Sequence, residues 1–121
     1  MPIDPRYDPE NVFARILRGE IPSDRVFEDA EFVAFRDIQP AAPTHIVIAP
    51  RGEPPTSAVS LSDADAGWLG RMLVVASKIA AVEGLDSGGY RLVVNCGDNA
   101  GQTVGHFHLH LLGGRSLGPV A

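Results

Sequence analysis

Three of the four histidines in this chain, His106, His108 and His110, stand at alternate positions. In an extended strand alternate side chains share a face, so the spacing predicts a row of imidazoles, with Phe107, Leu109 and Leu111 turned the other way into a core. A plain polar strand face carrying three histidines is the least specific account of this pattern. Catalysis on phosphate is a second. An imidazole with a pKa near ~6.5 is partly neutral at neutral pH, and its free nitrogen is a nucleophile. Flanking imidazoles, when protonated, hold anionic oxygens and stabilise charge that develops in a transition state. The middle ring has a helper on each side, so His108 is the natural nucleophile for attack on phosphorus. A metal site is the third account. His106 and His110 lie ~13 Å apart along a strand at ~3.3 Å per residue. An imidazole plus a Zn–N bond of ~2.1 Å reaches less than ~7 Å from its Cα. A straight strand does not close both rings on one ion, although a neighbouring pair with His45 remains open. No metal and no cofactor are expected.

The elements that must hold this row are legible from periodicity. Asp8-Pro9 reads as an N-cap with proline in the first helical position. Val12, Phe13, Ile16 and Leu17 then form an amphipathic stripe that Gly19 ends. Arg25 to Glu28 and Phe32 to Arg36 predict a hairpin about Asp29-Ala30-Glu31. His45 to Ala49 predicts a buried strand. Ser62 with Asp65 predicts a capping box, followed by the longest helical pattern, from Trp68 to Ile79, ended by Gly84. Its apolar stripe is wide enough to meet both the core and a partner subunit. Tyr90 to Asn95 and His106 to Leu112 predict two further strands, with a polar glycine loop between them over Gly97 to Gly101. Two helices and about five strands with short connections make an α+β domain with a mainly antiparallel sheet.

The chain has 121 residues and 45% apolar residues, enough for one domain around one core. A single domain over 1–121 is expected, with 1–7 loose. The net charge of −5 argues against a nucleic-acid surface, which needs a basic face, but leaves room for a local anion site. Cys96 is the one cysteine, so no internal disulfide is possible, and it is expected to be a buried, inert thiol. No apolar run follows a basic start in Met1 to Glu10, and no stretch approaches a membrane span, so a cytoplasmic protein is expected.

The row His106-Phe107-His108-Leu109-His110-Leu111-Leu112 resembles the signature of the histidine triad (HIT) family. The resemblance extends over about 100 residues, in order and with family-like spacing. It takes in Val12-Phe13-Ala14-Arg15-Ile16-Leu17, Gly19-Glu20-Ile21-Pro22, Ala34-Phe35-Arg36-Asp37-Ile38 and Ala42-Pro43-Thr44-His45. It continues through Gly89-Tyr90-Arg91, Val93-Val94-Asn95, Gly101-Gln102-Thr103 and Gly113-Gly114-Arg115. The chain is most similar to the branch of purine nucleoside phosphoramidases, as distinct from the branch that cleaves dinucleoside polyphosphates.

The resemblance implies a five-stranded sheet with two helices, and a homodimer with a continuous ten-stranded sheet. It implies hydrolysis of purine nucleoside 5'-phosphoramidates, and of acyl-adenylates, to the nucleoside monophosphate through a covalent nucleotidyl-histidine. In that scheme His108 attacks, the His106 carbonyl accepts the other N–H of its ring, and His110 contacts phosphate and leaving group. His45 and His106 support the row from behind. Asn95, Gly101, Gln102 and Thr103 fall where the family holds ribose and phosphate. Asp37 falls where it accepts both ribose hydroxyls, a task that suits a group with two accepting oxygens. Phe13, Ile16, Phe35 and Ile38 match the purine slot, although an apolar stripe of this kind is also what a core requires. Gly105 departs from the larger residue usual before the triad, and the tail after Ser116 lacks a tryptophan common in relatives. A nucleotide-binding or scaffolding module with little turnover, and a dinucleoside polyphosphate hydrolase, are the competing readings.

Overall fold

The computed structural model describes residues 3–120. Met1, Pro2 and Ala121, the outermost residues of the leader and tail discussed above, lie outside them. Helix α1 (Val12–Leu17) is followed by β1 (Arg25–Glu28), β2 (Phe32–Arg36) and β3 (Thr44–Pro50). Helix α2 (Ala66–Val82), β4 (Tyr90–Val93) and β5 (Leu109–Gly113) complete the domain. The five strands form one antiparallel sheet in the order β1-β2-β3-β5-β4. The α+β class and the expected hairpin are therefore present.

The sheet is buried on both sides, which the alternation of β2, β3 and β5 makes possible. One face presents Phe32, Ala34, Ile46, Ile48, Phe107, Leu109 and Leu111 to Met72, Val75, Ala76 and Ile79 of α2. The other presents Val33, Phe35, Val47 and Ala49 to Ile16 of α1, with Phe13 and Leu17 packed alongside. The capping box is formed: Ser62 and Asp65 exchange side-chain and backbone bonds ahead of α2. Trp68 is partly buried and packs against this core, its indole edge-on to Phe107 with centroids 5.4 Å apart.

Three local expectations change. Helix α1 is capped by Asn11, whose Oδ1 accepts the Ala14 N–H at 2.9 Å. Asp8 instead closes the turn before it, its carboxylate accepting the Glu10 N–H and its carbonyl the Asn11 N–H. Two good capping residues three apart compete, and the inner one wins because the outer one is spent on its own turn. Strand β5 begins at Leu109 and not at His106, and β4 ends at Val93, short of Asn95. The Phe107 N–H bonds sideways to the Pro55 carbonyl at 3.0 Å, so the chain bends at Gly105–His106 and joins the ladder only at Leu109. Cys96 is half-buried rather than buried, with its sulfur 3.7 Å from the Ser57 hydroxyl.

Leu111 is fully buried at the centre of the α2 face. Leu111→Ala is expected to cost about 2–5 kcal/mol in urea unfolding. A loss below about 1 kcal/mol would show that β5 is not the centre of this core.

Candidate active site

The histidines reach one face through strand alternation. In β3, His45, Val47 and Ala49 share parity, and Val47 lies opposite His110 in β5. The α2 face takes Phe107, Leu109 and Leu111. His106, His108, His110 and His45 therefore stand on the α1 side. The rings follow one another closely, with centroids 5.0 Å apart for His108 and His110 and 5.1 Å for His110 and His45. Phe13 of α1 sets its ring edge-on to His108 at 4.7 Å and to His106 at 6.2 Å.

Hydrogen bonds settle which nitrogen of each neutral ring carries the proton. His108 Nδ1 lies 2.7 Å from the His106 carbonyl, which can only accept. Nδ1 therefore carries the hydrogen and Nε2 keeps its lone pair. His106 Nε2 lies 2.8 Å from the Pro50 carbonyl and is protonated by the same reasoning. His45 Nδ1 accepts the Ala41 N–H at 3.0 Å, so its hydrogen sits on Nε2. That Nε2 donates to His110 Nδ1 at 2.9 Å. The remaining hydrogen of His110 is then on its Nε2. The row thus offers one free lone pair, on His108, beside one N–H donor, on His110.

Burial favours the neutral form of His106, His108 and His110. His106 is fully buried and its pKa falls from 6.5 to about 4, through desolvation. His110 is likewise pushed to about 4, by desolvation and then by His108 and His45. His108 is also lowered, mainly by desolvation. The flanking rings, read as able to hold anionic oxygens when protonated, are disfavoured in that form by burial and offer N–H donors when neutral.

A cleft of about 520 Å³ runs along this face. Of the residues singled out in the sequence, Phe13, Ile16, Phe35, Asp37, Ile38, Asn95, Gly101, Gln102, Thr103, His108 and His110 line it. His45 and His106 are buried and do not line it. Phe13, Ile16 and Phe35 are both core and wall, since Ile16 and Phe35 are buried in the α1-side cluster and Phe13 packs on it. Ile38 is 92% exposed and forms the rim. Asp37 continues the parity of Val33 and Phe35 past the end of β2, held by its N–H on the His45 carbonyl at 2.9 Å. One of its oxygens accepts the Gln39 N–H and the other lies 3.4 Å from His45 Nε2.

Gln102 lines the cleft and also clamps its loop. Its amide donates to the carbonyls of Thr56 and Val104 and accepts the Gly97 N–H, and its own N–H donates to the Gly97 carbonyl. Gly101 takes a left-handed φ of 78°, which lets the loop turn back toward the histidines.

Several residues of the site carried no signal in the sequence reading. Val12, Ile21 and Arg36 line the cleft. Helical and strand periodicity marked Val12 only as core, and Arg36 as a strand end. Arg36 is held by Glu83 at 2.9 Å, so its charge is already paired. Tyr7, in the stretch read as loose, places its hydroxyl 2.7 Å from His106 Nδ1.

Asp37, His45 and His110 bring donor atoms within 4.8 Å of one another. The donor chemistry opposes a metal there. A metal on His45 Nε2 would need the ring hydrogen on Nδ1, where the Ala41 N–H already points. No helix among the described residues is long and apolar enough to cross a membrane.

The HIT domain family model matches residues 18–117. The chain is 53% identical over 112 residues to a purine nucleoside phosphoramidase of Escherichia coli, covering 92% of each protein. It is 46% identical over 108 residues to an uncharacterised HIT-like protein of Synechococcus elongatus, covering 89% of this chain and 93% of that one. Among solved structures, a HIT family hydrolase from Legionella pneumophila matches with a TM-score of 0.85 at 47% identity, covering 88% of this chain and 95% of that one. A histidine triad protein from Clostridium difficile matches with a TM-score of 0.88 at 36% identity, covering 96% of this chain and all of that one.

The depressed histidine pKa values make stability depend on pH. The unfolded chain takes up a proton on His106 near pH 6.5, whereas the folded one resists until about 4. Stability is therefore complete above pH 6.5 and is lost as pH falls from 6.5 toward 4. Urea unfolding at pH 5 is expected to give about 2 kcal/mol less than at pH 7.5 from His106 alone. Equal values at the two pH values would mean that the ring is not held neutral.

Proposed function

This chain belongs to the HIT domain family, and on that premise we propose that it hydrolyses purine nucleoside 5'-phosphoramidates, and acyl-adenylates, to the nucleoside monophosphate. The observation that carries the reading is the state of His108. Its Nδ1 hydrogen is tied to the His106 carbonyl, and its unprotonated Nε2 belongs to a ring that lines the cleft. An apolar slot of Phe13, Ile16 and Phe35 with Ile38 at its rim suits a purine, and Asp37 suits the two ribose hydroxyls.

The reaction follows from these placements. His108 Nε2 forms a bond to the α-phosphorus as the P–N bond breaks, and the nitrogen leaves as an amine with a proton from solvent. The nucleotidyl group sits on Nε2 while Nδ1 keeps its hydrogen, so the ring becomes cationic. The His106 carbonyl stabilises that charge, and its fixed direction aims the attacking nitrogen beforehand. His110 Nε2–H donates to a phosphate oxygen, with His45 holding the ring in the required tautomer. Asn95 and Thr103, on either side of the clamp made by Gln102 and Gly101, contribute polar contacts to ribose and phosphate. Water then attacks phosphorus as its bond to Nε2 breaks, one proton of the water returns to solvent, and the monophosphate and neutral His108 are released.

The working form in this proposal is a homodimer that joins two sheets into ten strands through β4. That strand is an edge of the sheet, and Tyr90 and Val94 are exposed there with Leu73 and Val74 on α2. Sedimentation equilibrium is expected to give twice the chain mass, and a monomer mass at every concentration would contradict it.

Steady-state turnover of an adenosine phosphoramidate tests the chemistry. His108→Ala is expected to lower kcat by roughly three orders of magnitude or more, because a positioned nucleophile is lost. Turnover at the wild-type rate in that variant would end the proposal. Because burial keeps His108 neutral, the acid limb of kcat/KM is expected below pH 6.5. A limb above that value would show a ring that must first lose a proton.

A further inference from the structure

Tyr7 stands outside the cleft, yet it is joined to the reacting row through one buried ring. Its hydroxyl lies 2.7 Å from His106 Nδ1, and the two rings pack with centroids 5.6 Å apart. The Pro50 carbonyl occupies the other nitrogen of His106, so Nδ1 holds a lone pair and the tyrosine must donate to it. The Gly52 carbonyl is also within reach of that hydroxyl, but at 3.5 Å it is the weaker partner for a single hydrogen.

The position of His106 gives this bond its consequence. The ladder of β5 starts only at Leu109, so no strand pairing fixes the peptide group of His106. That peptide carries the carbonyl on which His108 is oriented. The other half of that peptide, the Phe107 N–H, is held by Pro55, and the His106 ring beside it is anchored by Pro50 on one side and Tyr7 on the other. Ile3 lies beside the same point: a Cβ built on Gly105 would meet its side chain at 3.6 Å and that of Thr56 at 3.7 Å, ordinary van der Waals distances.

We propose that Tyr7 is a positioning residue for the reaction: by donating to His106 Nδ1 it holds the His106 carbonyl in line with the Nδ1–H of His108. The inference rests on the reading of His108 as the nucleophile. Tyr7 acts through His106 and touches neither substrate nor cleft, so its loss acts on the chemical step and spares substrate binding.

The test is Tyr7→Phe, which keeps the packed ring and removes only the donor. With an adenosine phosphoramidate, kcat is expected to fall about 3- to 10-fold, the worth of one neutral hydrogen bond, with KM within about twofold. Nitrogen NMR of the free variant is expected to show the His106 Nδ1 resonance displaced from its hydrogen-bonded position. A wild-type kcat, a loss confined to KM, or an unchanged Nδ1 resonance would each overturn the role of Tyr7. His108→Ala is assayed alongside. If that variant is inactive and Tyr7→Phe is fully active, the role of Tyr7 alone fails. If His108→Ala turns over normally, the nucleophile reading fails and the role of Tyr7 goes with it.

Discussion

The hydrogen bond from His108 Nδ1 to the His106 carbonyl joins residues two apart, and much of the local structure exists to permit it. A carbonyl turned inward to a side chain is lost to the sheet. The chain from His106 to His108 accordingly leaves the ladder, and β5 begins one residue later. The Phe107 N–H released by that departure bonds to Pro55, and the buried His106 ring is satisfied at both nitrogens, Nε2 on Pro50 and Nδ1 on Tyr7. No buried side-chain nitrogen or oxygen is left without a partner among the described residues. The Phe107 N–H on Pro55 stands in for a ladder bond, and the two ring bonds satisfy the buried His106 side chain, so leaving the ladder costs little stability.

Neutrality is the second consequence. The protein is acidic overall, and the arginine that lines its cleft is already paired with Glu83. An anion entering there meets N–H dipoles and a lone pair rather than fixed cations. A desolvated imidazole is a better nucleophile for being neutral, since protonation would occupy the nitrogen that attacks. The chain Ala41–His45–His110 extends the same logic. A backbone N–H at one end determines which nitrogen of His110 faces outward as a donor. The buried histidines thus trade acid stability for a fixed pattern of donors and acceptors.

Much of this was legible in the sequence because period-two alternation leaves little freedom. Once His106, His108 and His110 alternate with Phe107, Leu109 and Leu111, burial of the latter sends the former to the other face. The hairpin Arg25–Glu28 and Phe32–Arg36, the capping box at Ser62 and the long helix were equally local and were read within a residue or two. What escaped was decided by tertiary contact. Asn11 capped α1 in place of Asp8 because Asp8 was engaged by its own turn. The missing ladder at His106 depended on Pro50 and Pro55, more than fifty residues away in sequence. The clamp made by Gln102 was not legible either, since the three backbone groups its amide bonds lie in distant and neighbouring loops. Tyr7 gave no pattern at all, since a lone aromatic in a polar leader has no periodicity to reveal its partner.

The claim on which the account turns is that the free nitrogen of His108 bonds to phosphorus during turnover. Rapid quenching of the wild-type protein with a purine nucleoside phosphoramidate, followed by peptide mass spectrometry, tests it most directly. The account predicts one nucleoside monophosphate group per active site, carried on His108 and decaying as free monophosphate forms. A fully active enzyme whose quenched peptides carry no adduct, or carry it on another residue, would contradict it.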